Sequence, residues 1–242
     1  MAYTKTILVT GAARGIGFEL IRQYAHEDPT TLVIAAVRDT AKADQVLELI
    51  KSGVNVKLVQ LDSTDDASIA ASVPKVQALT DHVDLLINNA GILPPGDKKP
   101  AETTRPDFLT VLDVNSAGPL AVFNAYEPLL KAAKGNAVVA NISSTVGSIA
   151  HPFGASGEFG AGKLAYGVSK AALNYITRAL ATTYTDITFL ALCPGWLQTD
   201  MGGASAPLKV EDGVKGVRNV IATRTLKDSG KYINHENQEL PF

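Results

Sequence analysis

Thr6-Ile-Leu-Val-Thr10-Gly11-Ala12-Ala13-Arg14-Gly15-Ile16-Gly17 passes from an apolar run straight into a glycine-rich turn, and a helical pattern opens at Gly15. Glycine allows a tight turn and close backbone approach, while the helix N-terminus offers free N–H groups and a positive dipole. A glycine-rich turn alone says little. Placed after an opening strand and before a helix, it reads as a cradle for a dinucleotide pyrophosphate, with Gly11, Ala13, Arg14, Gly15, Ile16 and Gly17 as the contacting residues.

The same alternation continues along the chain. Apolar runs at Thr6–Thr10, Leu32–Val37, Val56–Gln60, Leu85–Asn88, Ala137–Ile142, Ile187–Cys193 and Lys231–Ile233 read as strands. Amphipathic patterns near Gly15–Glu27, Thr40–Lys51, Asp65–Thr80, Arg105–Lys134, Gly162–Tyr184 and Val210–Thr223 read as helices between them. Strands apolar throughout, separated by helices, predict a doubly wound Rossmann-like α/β fold: seven strands, mainly parallel, with helices on both faces. No internal linker or repeat interrupts the pattern, so residues 1–242 are expected to form one domain. Three long loops, 92–104, 146–164 and 195–209, follow strand carboxyl ends, where ligands bind in open α/β sheets.

Bulk properties narrow the function. A chain of 242 residues, 46% hydrophobic, can bury a full core, and its net charge of −2 suggests neither nucleic-acid nor anionic-membrane partners. No apolar run reaches about 18 residues, and the N-terminus carries no cationic, apolar leader. The single cysteine, Cys193, excludes an internal disulfide framework, fits a reducing compartment and reads as a buried strand residue. A cytoplasmic protein is expected. His26, His82, His151 and His235 lack ligand-like spacing, so no metal site is expected.

The second strand ends Ala35-Ala36-Val37-Arg38-Asp39. A carboxylate at this tip would hold the adenosine ribose and select NAD, whereas a guanidinium would accept a 2′-phosphate and select NADP. Arg38 and Arg14 together favour NADP; Asp39, after a small register shift, would be the ribose acceptor instead. Asp62 and Ser63 after the third strand suit an adenine amino group. Asn88-Asn89-Ala90-Gly91 offers small residues and an amide pair to tie strand ends together.

Tyr166 and Lys170 stand four residues apart in a strongly helical run, so phenol and ammonium share one helix face. A neighbouring positive charge lowers a tyrosine pKa and makes the phenol a proton donor. With the glycine turn, the pair suggests hydride transfer with a tyrosine acid.

Taken together, Thr10-Gly-Ala-Ala-Arg-Gly-Ile-Gly17, Asn88-Asn-Ala-Gly91, Asn115, Ser143-Ser144, Tyr166-Gly-Val-Ser-Lys170 and Pro194-Gly195 with Thr199 resemble the short-chain dehydrogenase/reductase family from Thr6 to Phe242. Within it, Pro194-Gly-Trp-Leu-Gln-Thr-Asp-Met-Gly202 and Gly230-Lys-Tyr-Ile-Asn234 look like the C-factor-like carbonyl reductases. The resemblance implies Tyr166 as the acid that protonates a carbonyl oxygen. Lys170 would hold the nicotinamide ribose, and Ser144, with Ser143 as the alternative, would bond the substrate oxygen. Asn115 would hold a water linking Lys170 to solvent; a side-chain-to-backbone bond is its other reading. Pro194, Gly195, Leu197 and Thr199 would contact the nicotinamide end, Asn89, Ala90 and Gly91 the cofactor's middle. Trp196 stands at the cleft edge, as pocket wall or as core. His151 reads as exposed rather than catalytic.

Ser144 and Tyr166 lie 22 positions apart, more than in many members, the extra residues including Gly154-Ala-Ser-Gly157. The 195–209 loop, though long for a connection, is short for a lid, which hints at an open pocket for bulky or aromatic carbonyls. The expected activity is NADP(H)-dependent reduction of a small-molecule ketone or aldehyde. An NAD-linked alcohol dehydrogenase and a dinucleotide-binding regulatory protein are the alternatives; a sugar-nucleotide epimerase would need a larger C-terminal domain. The helices at Arg105–Lys134 and Gly162–Tyr184 suit a homodimer or homotetramer interface.

Overall fold

The computed structural model describes residues 3–94, 99–151 and 161–242. Seven strands, β1 (Lys5–Thr10), β2 (Thr31–Val37), β3 (Val56–Gln60), β4 (Leu85–Asn88), β5 (Ala137–Ile142), β6 (Ile187–Cys193) and β7 (Lys231–Asn234), form one sheet in the order β3-β2-β1-β4-β5-β6-β7. Every neighbouring pair is parallel, so the expected mainly parallel sheet is wholly so. The strand order reverses between β1 and β4, and a doubly wound sheet opens its ligand crevice at that reversal.

Among the described residues seven α-helices flank the sheet: α1 (Gly15–Glu27), α2 (Asp44–Lys51), α3 (Asp66–Gln77), α4 (Arg105–Leu112), α5 (Gly118–Lys131), α6 (Leu164–Thr183) and α7 (Val210–Ala222). The two-residue period of a strand divides the core. Ile7 and Val9 pack with Leu20 and Ile21 of α1 and Val214 and Val217 of α7, whereas Leu8 between them packs with Ile69 of α3 and Phe123 of α5. Each such buried aliphatic side chain contributes roughly 1.5–3 kcal/mol, which fixes strand register and therefore the positions of the strand ends. On the second face Phe123, Tyr184 and Phe189 meet edge to face, with centroids 5.1 Å apart from Phe123 to each partner, and join α5, α6 and β6.

The run Arg105–Lys134, which reads as one helix, is two. A π-helical turn at Asp113–Ala117 separates α4 from α5. Pro119 causes part of this break: it has no N–H to offer the carbonyl four residues earlier, that of Asn115. No helix among the described residues is long and apolar enough to cross a membrane.

Candidate active site

Helix α6 presents Tyr166 and Lys170 on one face toward the carboxyl end of β5 and β6. Lys170 is buried, its Nζ donating to the Ile142 carbonyl at 2.7 Å and lying 5.6 Å from the Tyr166 ring centroid. The Tyr166 hydroxyl bonds the Ser144 side chain. Dehydration pushes the phenol up to about 12, charge on Cys193 adds to this, and the bond to Ser144 opposes it. Dehydration likewise pulls Lys170 down to about 8, with Cys193 opposing. The sequence reading anticipates a lowered tyrosine; in the folded chain without cofactor dehydration is the largest influence, and the phenol keeps its proton well above neutrality.

The two candidate serines separate cleanly. Ser143 is buried and its hydroxyl is committed to Asn174 Oδ1 of α6 at 2.6 Å. Ser144 is half-buried, extended (φ −157°), and opens a tight turn whose Gly147 N–H returns to the Ser144 carbonyl at 2.8 Å. That turn sits hard on α6: a Cβ on Gly147 would lie 2.8 Å from Lys170 Cβ.

Asn115 is fully buried inside the π turn. Its amide donates to the Ile92 carbonyl at 2.9 Å and to Ser169 Oγ at 3.0 Å, while Oδ1 accepts the Ile92 N–H at 2.8 Å. The side-chain-to-backbone reading therefore applies, though the partner is 23 residues away rather than local. The donor that an α-helix would offer the Asn115 carbonyl is the N–H of residue 119, and Pro119 has none. Gly91 lies beside this residue, a Cβ there falling 3.2 Å from Asn115 Oδ1 and 3.7 Å from Lys170 Nζ.

Across the crevice, Gly11 takes φ +64° with its missing Cβ 2.8 Å from Ala90 Cα, and a Cβ on Gly17 would strike the Gly11 carbonyl and lie 2.5 Å from Asn89 Nδ2. Asn89 donates to the carbonyls of Thr10 (2.9 Å) and Gly11 (3.2 Å), tying the ends of β1 and β4 as the sequence suggests. Ala13 and Ile16 pack partly into the core. The first turn of α1 has neither a side-chain cap nor an acidic residue, so its N–H groups face the crevice unclaimed by side chains.

At the tip of β2, Arg38 is exposed. Asp39 instead caps the turn Thr40–Lys42, accepting the Ala41 N–H at 3.0 Å, and lies 3.5 Å from Lys42 Nζ. Asp62 Oδ1 closes a turn onto the N–H and hydroxyl of Thr64 at 3.0 and 2.8 Å. Ser63 is buried against Gly118. Arg14 reaches across the cleft mouth to Asp200 at 2.9 Å.

After β6, Pro194 is buried and Gly195 takes φ +89°. Leu197 is buried and bridges to Leu208, and Thr199 faces Gly15, whose Cβ would lie 3.6 Å from its methyl group. Trp196 is 39% exposed and donates to the Gly202 carbonyl at 2.7 Å, so it is not core. His151 is exposed. The centres of the 92–104 and 146–164 loops, including Gly154-Ala-Ser-Gly157, lie outside the described residues. Among the described residues no group of three or more His, Cys, Asp or Glu is placed to hold a metal.

Three residues around the site were given no role by the sequence reading. Asn174 follows Lys170 by four and shares its helix face, a signal that was present. Tyr232 and Asp200 arrive only through sheet register and loop path.

With this geometry in hand, the comparisons are direct. The family model described as short chain dehydrogenase matches residues 5–208. The short-chain dehydrogenase RED3 of Pyricularia oryzae is 35% identical over 97% of this chain and 96% of its own length. The C-signal protein of Myxococcus xanthus is 36% identical over 67% of this chain and 95% of its own length. Among solved structures, the NADPH-bound carbonyl reductase from chicken fatty liver superposes with a TM-score of 0.89 at 34% identity, covering both chains completely. The carbonyl reductase Sniffer of Drosophila melanogaster gives 0.89 at 27% identity, covering 99% of this chain and 100% of that one. A crevice at the sheet's strand-order reversal, a tyrosine–lysine pair beside it and a family match over most of the sequence lead to one conclusion: this chain belongs to the short-chain dehydrogenase family of oxidoreductases.

Proposed function

We propose that the protein is a one-domain, NADPH-dependent reductase of ketones or aldehydes. The observation that carries this reading is the meeting of Ser144, Tyr166 and Lys170 within a few ångströms, next to a glycine cradle that side chains leave open. The residues present fit a dinucleotide. The uncapped N–H groups of α1 suit a pyrophosphate, and Gly11, Gly17 and Gly91 leave room where a Cβ would intrude. Arg38 and Arg14 suit a 2′-phosphate, and Asp39, spent on its own turn, is a poor ribose acceptor. Support from outside the chain comes from the NADPH-bound carbonyl reductase at 34% identity.

NADPH, when bound, supplies the hydride. The chain supplies the rest. Ser144 donates a hydrogen bond to the substrate oxygen and holds it at the Tyr166 hydroxyl. Tyr166, protonated at neutral pH, gives its proton to that oxygen as negative charge develops there. Lys170 would hold a ribose hydroxyl of the cofactor and restore the phenol's proton, with the Asn115 carbonyl holding a water that would link Lys170 to solvent. Pro194, Gly195, Leu197 and Thr199 shape the nicotinamide end, Asp62 and Ser63 the adenine end. Exposed Leu109, Val168 and Tyr175 on α4 and α6 form the face on which a homodimer would pack.

A panel of ketones and aldehydes, followed by NADPH absorbance with NADH in parallel, tests the reading. Turnover with NADPH well above NADH is expected. No turnover of any carbonyl, with the protein folded and binding NADPH, would defeat it.

A further inference from the structure

Strand β7 lies at the edge of the sheet, yet its Tyr232 reaches back to the site. The side chain is fully buried, and its hydroxyl donates to the Ser144 carbonyl, 88 residues away in sequence. The phenol oxygen accepts in turn from Asn174. Asn174, also buried, has no polar atom to spare: Nδ2 also donates to the Gly147 carbonyl at 3.2 Å, and Oδ1 accepts from Ser143 at 2.6 Å. Ser144 and Gly147, the two ends of the serine turn, and Ser143 just before it are thus held by one two-residue network. The far end of the same loop is held as well. Ala150 N–H donates to the Phe242 carbonyl at 3.1 Å, the Phe242 ring packs on Tyr232 at 5.6 Å, and Leu240 N–H donates to the Tyr232 carbonyl at 2.7 Å.

We propose that Tyr232, acting with Asn174, is a positioning residue that fixes Ser144 for its bond to the substrate oxygen. The inference rests on the role of Ser144 proposed above. A buried network with every member bonded has one low-energy arrangement, and losing one member frees the others to shift. Burial raises the Tyr232 phenol beyond the ordinary tyrosine range, so it remains a donor to Ser144 at every working pH. The Gly147 N–H alone would leave the serine carbonyl free to swing, and with it the hydroxyl that must meet both Tyr166 and substrate.

A double-mutant cycle tests this. Tyr232→Phe, Phe242→Ala and Ser144→Ala are made singly, and the first two also in the Ser144→Ala background. Steady-state kinetics use the aldehyde of the panel that turns over fastest; NADPH affinity and melting temperature are measured in parallel. Ser144→Ala is expected to lower kcat by about a hundredfold, the scale of one lost oxyanion donor. Tyr232→Phe is expected to lower kcat about tenfold and Phe242→Ala about threefold with NADPH affinity unchanged, each falling to less than twofold once Ser144 is absent. Equal losses in both backgrounds, or losses that appear only in NADPH affinity, would overturn the inference and leave Ser144 in its role. An undiminished Ser144→Ala enzyme would overturn that role and the inference with it. Should Tyr232→Phe not fold, Phe242→Ala decides, because it removes a ring and leaves each hydrogen bond of the serine turn in place.

Discussion

Arg14 on the glycine turn and Asp200 on the loop after β6 join at 2.9 Å over the mouth of the crevice, with both side chains nearly four-fifths exposed. The pair spans 186 residues of sequence. At that exposure it is worth about 0–1 kcal/mol and is weakened by salt. A phosphate dianion at Arg14 competes with it directly. Asp200→Asn is therefore expected to raise NADPH affinity by up to about fivefold at low salt, with the gain shrinking as salt rises and NADH affinity unmoved. Fluorescence titration of both nucleotides at two ionic strengths checks this, and an equal gain for NADH would refute the competition.

Arg38→Glu at the tip of β2 should act in the opposite sense. Replacing a charge-assisted bond by repulsion is expected to weaken NADPH binding by about ten- to a hundredfold and to improve NADH. An unchanged preference would remove Arg38 from the cofactor site.

Tyr166→Phe keeps the ring that lies beside Lys170 and removes only the hydroxyl, the proposed proton donor. Cofactor affinity should persist while turnover falls by about two orders of magnitude or more. Single-turnover absorbance with saturating NADPH measures both.

Lys170 gives a stability signature with a definite sign. Its ammonium titrates near 8 in the folded chain and near its ordinary 10.5 when unfolded. Between those values the unfolded chain holds a proton that the folded chain has released, so stability rises with pH across that window. From pH 8 to 9.5 the wild type should gain up to about 2 kcal/mol over Lys170→Met, both measured by urea unfolding. Equal pH dependence of the two proteins would contradict a dehydrated lysine.

Much of this was legible in the residues. Seven apolar runs marked the strands because both sheet faces are covered, and the spacing of Tyr166 and Lys170 alone put them on one helix face. The split of Arg105–Lys134 was not legible in the apolar pattern, since a π turn adds a residue without breaking the hydrophobic stripe. The choice of Ser144 over Ser143 rested on the family resemblance; the physical reason for it, the bond that buries Ser143 against Asn174, depends on packing that local sequence does not show. Tyr232 was invisible for another reason: its place beside Ser144 depends on the register of β5 with β6 and of β6 with β7.

The absence of a side chain at Gly147 carries a lesson for changing what the protein accepts. The serine turn lies directly against the backbone of α6 at this residue, so a side chain there would push the proposed donor away from the proposed acid. Libraries aimed at new carbonyl compounds should leave that joint alone and vary exposed neighbours such as Ile149 and Trp196, where diversity can accumulate without disturbing the reacting geometry.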